Sequence, residues 1–182
     1  MPPVQRSRAV IFRTWEFGEA DLLVSFFTSD LGRLKGVAKA ARKSKKRFVN
    51  CLDHFALVDL EYEPRRASEL YLIRSGKLIE GYGGIRGDFQ AFSLAGYLVE
   101  LTEVLFPGQV AAPEIFNLLA DILGAIDRGN DRALLRIVFE ARAMALGGYA
   151  IGLDRCIGCG REYKRKGKAV FDPEKGGIYC LK

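Results

Sequence analysis

Between residues 56 and 63 the chain alternates with a period of two: Ala56, Val58, Leu60 and Tyr62 fall on one face, Leu57, Asp59, Glu61 and Glu63 on the other. That pattern belongs to a half-buried strand. Shorter apolar runs at 9–12, 22–28, 34–38 and 69–74 accompany it, broken by Glu16-Phe17-Gly18-Glu19, Ser29-Asp30-Leu31-Gly32 and Pro64-Arg65-Arg66-Ala67-Ser68. Five short strands in about 75 residues suit a small closed barrel, and an OB-fold is the commonest such barrel that works on nucleic acid. An SH3-like barrel would give a similar pattern.

After Gly81-Tyr82-Gly83-Gly84 the texture becomes helical. Phe89, Phe92, Gly96 and Val99 share one face of a first helix and Leu94, Leu98, Leu101 and Leu105 the adjoining one, until Phe106-Pro107-Gly108 stops it. Pro113 opens a second helix striped by Ile115, Leu119, Ile122 and Ile126. Asn130 or Asp131 caps a third, striped by Leu134, Leu135, Val138 and Phe139 and ended by Gly147-Gly148. The expected class is α+β and multidomain: an OB-fold barrel at 1–80, a helical domain at 81–152 and a zinc-ribbon-like module at 153–182.

No apolar run approaches the roughly 20 residues of a spanning helix, and the basic N-terminus leads into too short an apolar stretch for a secretory signal. The expectation is a cytoplasmic protein with no membrane partner, associated with the nucleoid. Net charge is +6, unevenly spread: residues 1–80 hold 15 basic and 10 acidic side chains, 81–150 hold 5 and 8, and 151–182 hold 8 and 4. Two basic modules flanking an acidic middle fit different partners for different parts.

The densest charge lies between Leu31 and Leu52, where Arg33, Lys35, Lys39, Arg42, Lys43, Lys45, Lys46 and Arg47 meet no acidic residue. Such a run repels itself unless solvent or a polyanion takes up the charge. Phosphates do so with release of condensed counterions, so these eight residues are the candidate DNA contacts, with Phe48, Trp15 and Phe17 as possible stacking faces.

Cys156-Ile157-Gly158-Cys159-Gly160 has the spacing of a metal knuckle, and Cys180 follows after twenty residues. A ribbon would place its fourth ligand at 183, one past Lys182, so Cys156, Cys159 and Cys180 are expected to bind structural zinc with a fourth ligand outside this chain. Cys51 and His54 lie in the barrel region, too far along the chain to complete the site without a fold-back. Catalytic residues are scarce: His54 is the only histidine, no phosphate loop or nucleophile elbow is present, and Glu19 and Asp21 read as turn-formers or ion-pair partners rather than an acid–base dyad.

Taken in order, Val10-Ile11-Phe12-Arg13-Thr14, Gly18-Glu19-Ala20-Asp21, Gly32-Arg33-Leu34-Lys35-Gly36-Val37-Ala38-Lys39-Ala40-Ala41-Arg42, Leu146-Gly147-Gly148-Tyr149 and Leu153-Asp154-Arg155-Cys156-Ile157-Gly158-Cys159-Gly160 resemble the RecO family of DNA recombination and repair mediators. The resemblance implies an N-terminal OB-fold, a helical domain and a zinc module inserted in it. It implies a non-enzymatic protein that binds single- and double-stranded DNA, anneals strands without ATP, and works with RecR and single-stranded DNA-binding protein to load RecA. It also implies further helices beyond a second cysteine pair, and so a longer intact protein than this chain. For the acidic, hydrophobic-ended tail of single-stranded DNA-binding protein it implies a groove on the helices, where Arg132 and Arg136, four apart on one face, are the candidate carboxylate receivers and Arg142 a further one. Two other readings remain: a metal-dependent nucleic-acid-processing enzyme using Glu19 and Asp21 or residues of a missing C-terminal part, and a protein-interaction module with accessory DNA binding.

Overall fold

The computed structural model describes residues 3–65, 68–164 and 167–181. It divides into two compact units, Met1–Phe139 and Glu140–Lys182. In the first, β1 (Gln5–Phe17), β2 (Asp21–Thr28), β3 (Gly32–Ala38), β4 (Leu57–Pro64) and β5 (Tyr71–Glu80) close in the order β1-β2-β3-β5-β4, and β1 returns to pair with β4. All pairings are antiparallel except β3 with β5, which seals the barrel. This is the expected OB-fold.

Alternation along each strand sends Ala9, Ile11, Val24, Phe26, Leu34, Val58, Leu60, Tyr62 and Ile73 into the barrel. Burial of each large apolar side chain stabilises the fold by roughly 1.5–3 kcal/mol before entropy is counted. Tyr62 brings a hydroxyl into this core, satisfied by Ser7 Oγ at 3.0 Å, which in turn donates to Asp30 at 2.7 Å. Close packing demands glycine at one wall position: a Cβ on Gly76 would lie 2.8 Å from Cys51 Sγ and 2.9 Å from a Leu60 methyl.

β1 runs five residues beyond the apolar run at 9–12, and a bulge makes this possible. Ile11 pairs with Phe26 and Arg13 with Ser25, so Phe12 is the extra residue. The alternation changes phase there. Ala9 and Ile11 point inward, whereas Arg13, Trp15 and Phe17 fall on the outer face with Ser25 and Leu23.

Helices α1 (Gly83–Gly87), α2 (Phe89–Leu105) and α3 (Pro113–Asp127) follow, with α4 (Arg132–Leu146) crossing from the first unit into the second. Asp88 caps α2 by accepting from the Ala91 N–H at 3.0 Å, Pro113 opens α3, and Asp131 caps α4 through the Ala133 and Leu134 N–H groups. The buried face of α2 is not the expected aromatic stripe. Ala91, Ala95, Leu98, Val99 and Thr102 are inside, whereas Phe89 is 85% exposed. Small residues let the helix approach its neighbours closely, while Phe89 is turned outward and the half-exposed Phe92 packs edge-on against Phe55. On α4 the expected stripe is also mostly outside, with Phe139 buried and Leu134 exposed.

The second unit ends in a three-stranded sheet of β6 (Gly152–Cys156), β7 (Ala169–Asp172) and β8 (Gly177–Cys180), in the order β6-β8-β7. Among the described residues no helix is long and apolar enough to cross a membrane.

Candidate nucleic-acid interface and metal centre

The basic segment leaves β3 at Ala38 and is clipped to the barrel. Ala40 takes a left-handed conformation, φ 52°, and its N–H donates to Asp21 Oδ1 at 2.8 Å. A single 3-10 turn follows at Ala41–Lys43, where the Arg42 N–H donates to the Ala20 carbonyl at 3.1 Å. Ser44 Oγ accepts from the Arg47 N–H, and the Arg47 guanidinium donates to the Lys39 carbonyl at 2.7 Å. The Gly76 N–H closes the loop onto the Arg47 carbonyl at 2.9 Å. Beyond it Phe48, Cys51 and Leu52 dive into the barrel core. Phe48 is therefore not a stacking face: it is buried, with the Arg47 guanidinium 5.2 Å above its ring.

The eight cations divide by what they touch. Arg33 ion-pairs with Glu103 of α2 at 3.5 Å, where both side chains are less than a third exposed, and Glu103 also receives Arg13 at 3.2 Å. Arg42 pairs with Glu16 at 3.2 Å in the open, a contact that competes weakly with any other anion. Arg47 holds its own loop. Lys35, Lys39, Lys43, Lys45 and Lys46 are exposed, and among the described residues none has a carboxylate within ion-pair distance. Glu103 had no local signal in the sequence, since it lies 70 residues from Arg33. Asp21 serves as a backbone acceptor, as a turn-former does, and exposed His54 stands edge-on to Phe55 and near Phe92.

In the second unit the thiols of Cys156, Cys159 and Cys180 all lie within 4.8 Å of one another, with Cys159 and Cys180 Sγ 3.5 Å apart. The backbone builds this convergence. Gly160 takes φ 71° and its N–H donates to the Cys156 carbonyl, while the Ile157 N–H reaches the Ile178 carbonyl, joining the knuckle to β8. The Cys180 N–H donates to Cys156 Sγ at 3.3 Å. That bond and another from the Cys159 backbone pull the Cys156 thiol down to about 6, and the Cys180 thiol, bonded to Cys159 and Cys156, is pushed up. One sulfur is thus primed as a thiolate at neutral pH. The packing around them is thin: between residues 150 and 181 the buried apolar side chains, among the described residues, are Cys156 and Ile178. A core this small gains from a cross-link, and three converging thiols are compatible with structural zinc.

On the helices, Arg132 donates to Asp88 at 2.7 Å and to Gln90 at 3.1 Å, tying α4 to the start of α2. Arg136 and Arg142 are exposed farther along α4. On the same helix Leu134 and Ile137 are each 58% exposed.

Barrel, helices and three-cysteine ribbon together define an OB-fold protein with an appended helical region and a module whose thiols lie close enough to bind a metal ion. Residues 1–82 match the family described as Recombination protein O N terminal, and residues 86–182 match Recombination protein O C terminal. The chain belongs to the RecO family, and its role lies in DNA recombination and repair. It is 33% identical over 171 residues to the DNA repair protein RecO of Anaeromyxobacter sp. (strain Fw109-5), covering 94% of this chain and 67% of that protein. Over 157 residues it is 36% identical to the DNA repair protein RecO of Geobacter metallireducens, covering 86% of this chain and 64% of the relative. With the DNA repair protein RecO of Syntrophotalea carbinolica it shares 34% identity over 175 residues, 96% of this chain and 67% of the other. The chain spans about two thirds of the length of these relatives.

Proposed function

We propose that this chain is a non-enzymatic DNA-binding mediator whose barrel holds single- and double-stranded DNA by their phosphates. The observation that carries the reading is the set of unpaired, exposed lysines: Lys35 on β3, and Lys39, Lys43, Lys45 and Lys46 on the loop after it, which is fixed to the barrel at both ends. Arg42 joins them by exchanging Glu16 for phosphate, whereas Arg33 and Arg47 act from behind. Phosphate neutralisation releases counterions whatever the base sequence. It also lowers the repulsion between two complementary strands, which is how such a surface promotes annealing without ATP. Changing Lys39, Lys43 and Lys45 to glutamate should weaken binding to all DNA alike and flatten the salt dependence on duplex by about 0.9 per lost contact. Unchanged salt titrations of the triple variant would sink the reading.

In the same reading zinc is held by Cys156, Cys159 and Cys180, with a fourth donor that ribbon spacing puts at position 183, and its role is structural. The mediator works with RecR on DNA covered by single-stranded DNA-binding protein to load RecA. The exposed apolar side of α4, with Leu134 and Ile137, receives the tail of single-stranded DNA-binding protein, and Arg132 and Arg136, four apart on the helix, take its carboxylate, Arg132 by exchanging Asp88 for it. Tail-peptide binding should weaken in Arg136→Ala and Arg132→Ala; if neither variant changes it, these arginines do not hold the carboxylate.

A further inference from the structure

We propose that Trp15 and Phe17 form a two-ring platform on which the unpaired bases of single-stranded DNA stack, so that this barrel discriminates single strands from duplex. The inference rests on the phosphate-binding reading above and adds to it what that reading lacks, a means of telling the two forms apart.

Placement is the first argument. Without the bulge at Phe12, Trp15 and Phe17 would continue the inward alternation of Ala9 and Ile11. With it they emerge on the outer face, Trp15 42% and Phe17 48% exposed. Trp15 has apolar neighbours alongside it: it pairs across the sheet with Leu23, Leu23 with Val37 and Val37 with Leu72. This apolar row steadies the ring without covering it.

Charge is the second argument. The neighbouring row is Arg13, Ser25 and Lys35. On the other side, the turn between β1 and β2 is bound to the basic segment by the Asp21 bond to Ala40, the Ala20 bond to Arg42 and the Glu16 ion pair with Arg42. The two rings therefore lie between Lys35 and the stretch from Lys39 to Lys43. Apolar faces flanked by uncompensated cations suit a polyanion with aromatic groups along it.

Spacing is the third. Residues two apart on a strand are about 6.8 Å apart, twice the ~3.4 Å rise per nucleotide of a stacked strand. Successive bases take one ring each only in a stretched, unstacked strand. A duplex keeps its base faces inside its own stack and meets the lysines alone.

Trp15 is the sole tryptophan, so its fluorescence reports the contact directly. The test titrates the full chain with oligodeoxythymidylate and with a duplex of mixed sequence, following Trp15 emission and, in parallel, the anisotropy of labelled DNA. The platform requires saturable quenching by the single strand and little by the duplex. Phe17→Ala, which keeps the reporter, and Trp15→Ala should each weaken single-strand binding about tenfold and change duplex binding less than twofold, with thermal melts confirming the folded barrel. If both DNAs bind with salt-sensitive affinity while Trp15 emission stays constant and the variants bind like the parent, the platform is wrong and phosphate binding stands. If neither DNA binds, the phosphate reading fails and takes the platform with it.

Discussion

Lysine and arginine have separated in this barrel, and the separation can be tested one side chain at a time. Arg33→Ala removes one of the two partners of a largely covered Glu103, so it should cost about 1 kcal/mol of stability in chemical denaturation while leaving the salt slope of DNA binding unchanged. Lys43→Glu should do the reverse. Among the cysteines, Cys51 is fully buried and burial pushes its thiol up to about 11, so it stays protonated at neutral pH and should resist alkylation in the native protein. In metal-free protein Cys156, Cys159 and Cys180 should be labelled first, as peptide mass mapping would show. The positive run from Arg33 to Arg47 was plain in the sequence because charge density is local. Which of its members are left without a protein partner was not, because Glu103, Glu16 and the Lys39 carbonyl reach the others through the fold. The outward turn of Trp15 was hidden for a related reason: one extra residue at Phe12 reverses the facing of every residue after it.

Among the elements, α2 shows where periodicity misleads. Its apolar residues cover much of the helix, so the sequence offers several stripes, and the buried one is set by how closely Ala91 and Ala95 allow neighbours to approach. The start of α2 was not singled out, yet it carries one of the clearer local devices. Asp88 accepts from the Ala91 N–H and pairs with Arg132, and these two contacts hold its carboxyl below the usual carboxylate range. A depressed folded value stabilises the fold fully above the ordinary carboxylate pKa of about 3.9, and that contribution is lost as pH falls through the lower value. Asp88→Ala should therefore lower the melting temperature at neutral pH and shrink the parent's advantage in strong acid. Asp88→Asn should recover part of the loss, because asparagine still caps the helix but no longer pairs with Arg132 as an ion. Equal melting temperatures of parent and Asp88→Ala at neutral pH would remove the cap from the account.

The two units differ in what can hold them together, and the three converging thiols mark the difference. The first unit has a closed barrel with a large apolar core, and its fold needs no cross-link. The second has a small sheet whose buried apolar side chains are Cys156 and Ile178 among the described residues, so its order should depend on the thiolate-bound ion. The candidate DNA lysines belong to the first unit and the thiolates to the second. Chelation should accordingly abolish protection of the Cys156, Ile157 and Gly160 amides from hydrogen exchange, since their bonds to Arg161, Ile178 and Cys156 build the knuckle. Barrel amides should keep their protection, and the salt dependence of DNA binding should move little. Acidification should act like the chelator on the ribbon, because protons displace the ion from thiolates. Loss of barrel protection on chelation would mean that the metal supports the entire chain, and an unchanged ribbon would mean that its hydrogen bonds suffice without an ion.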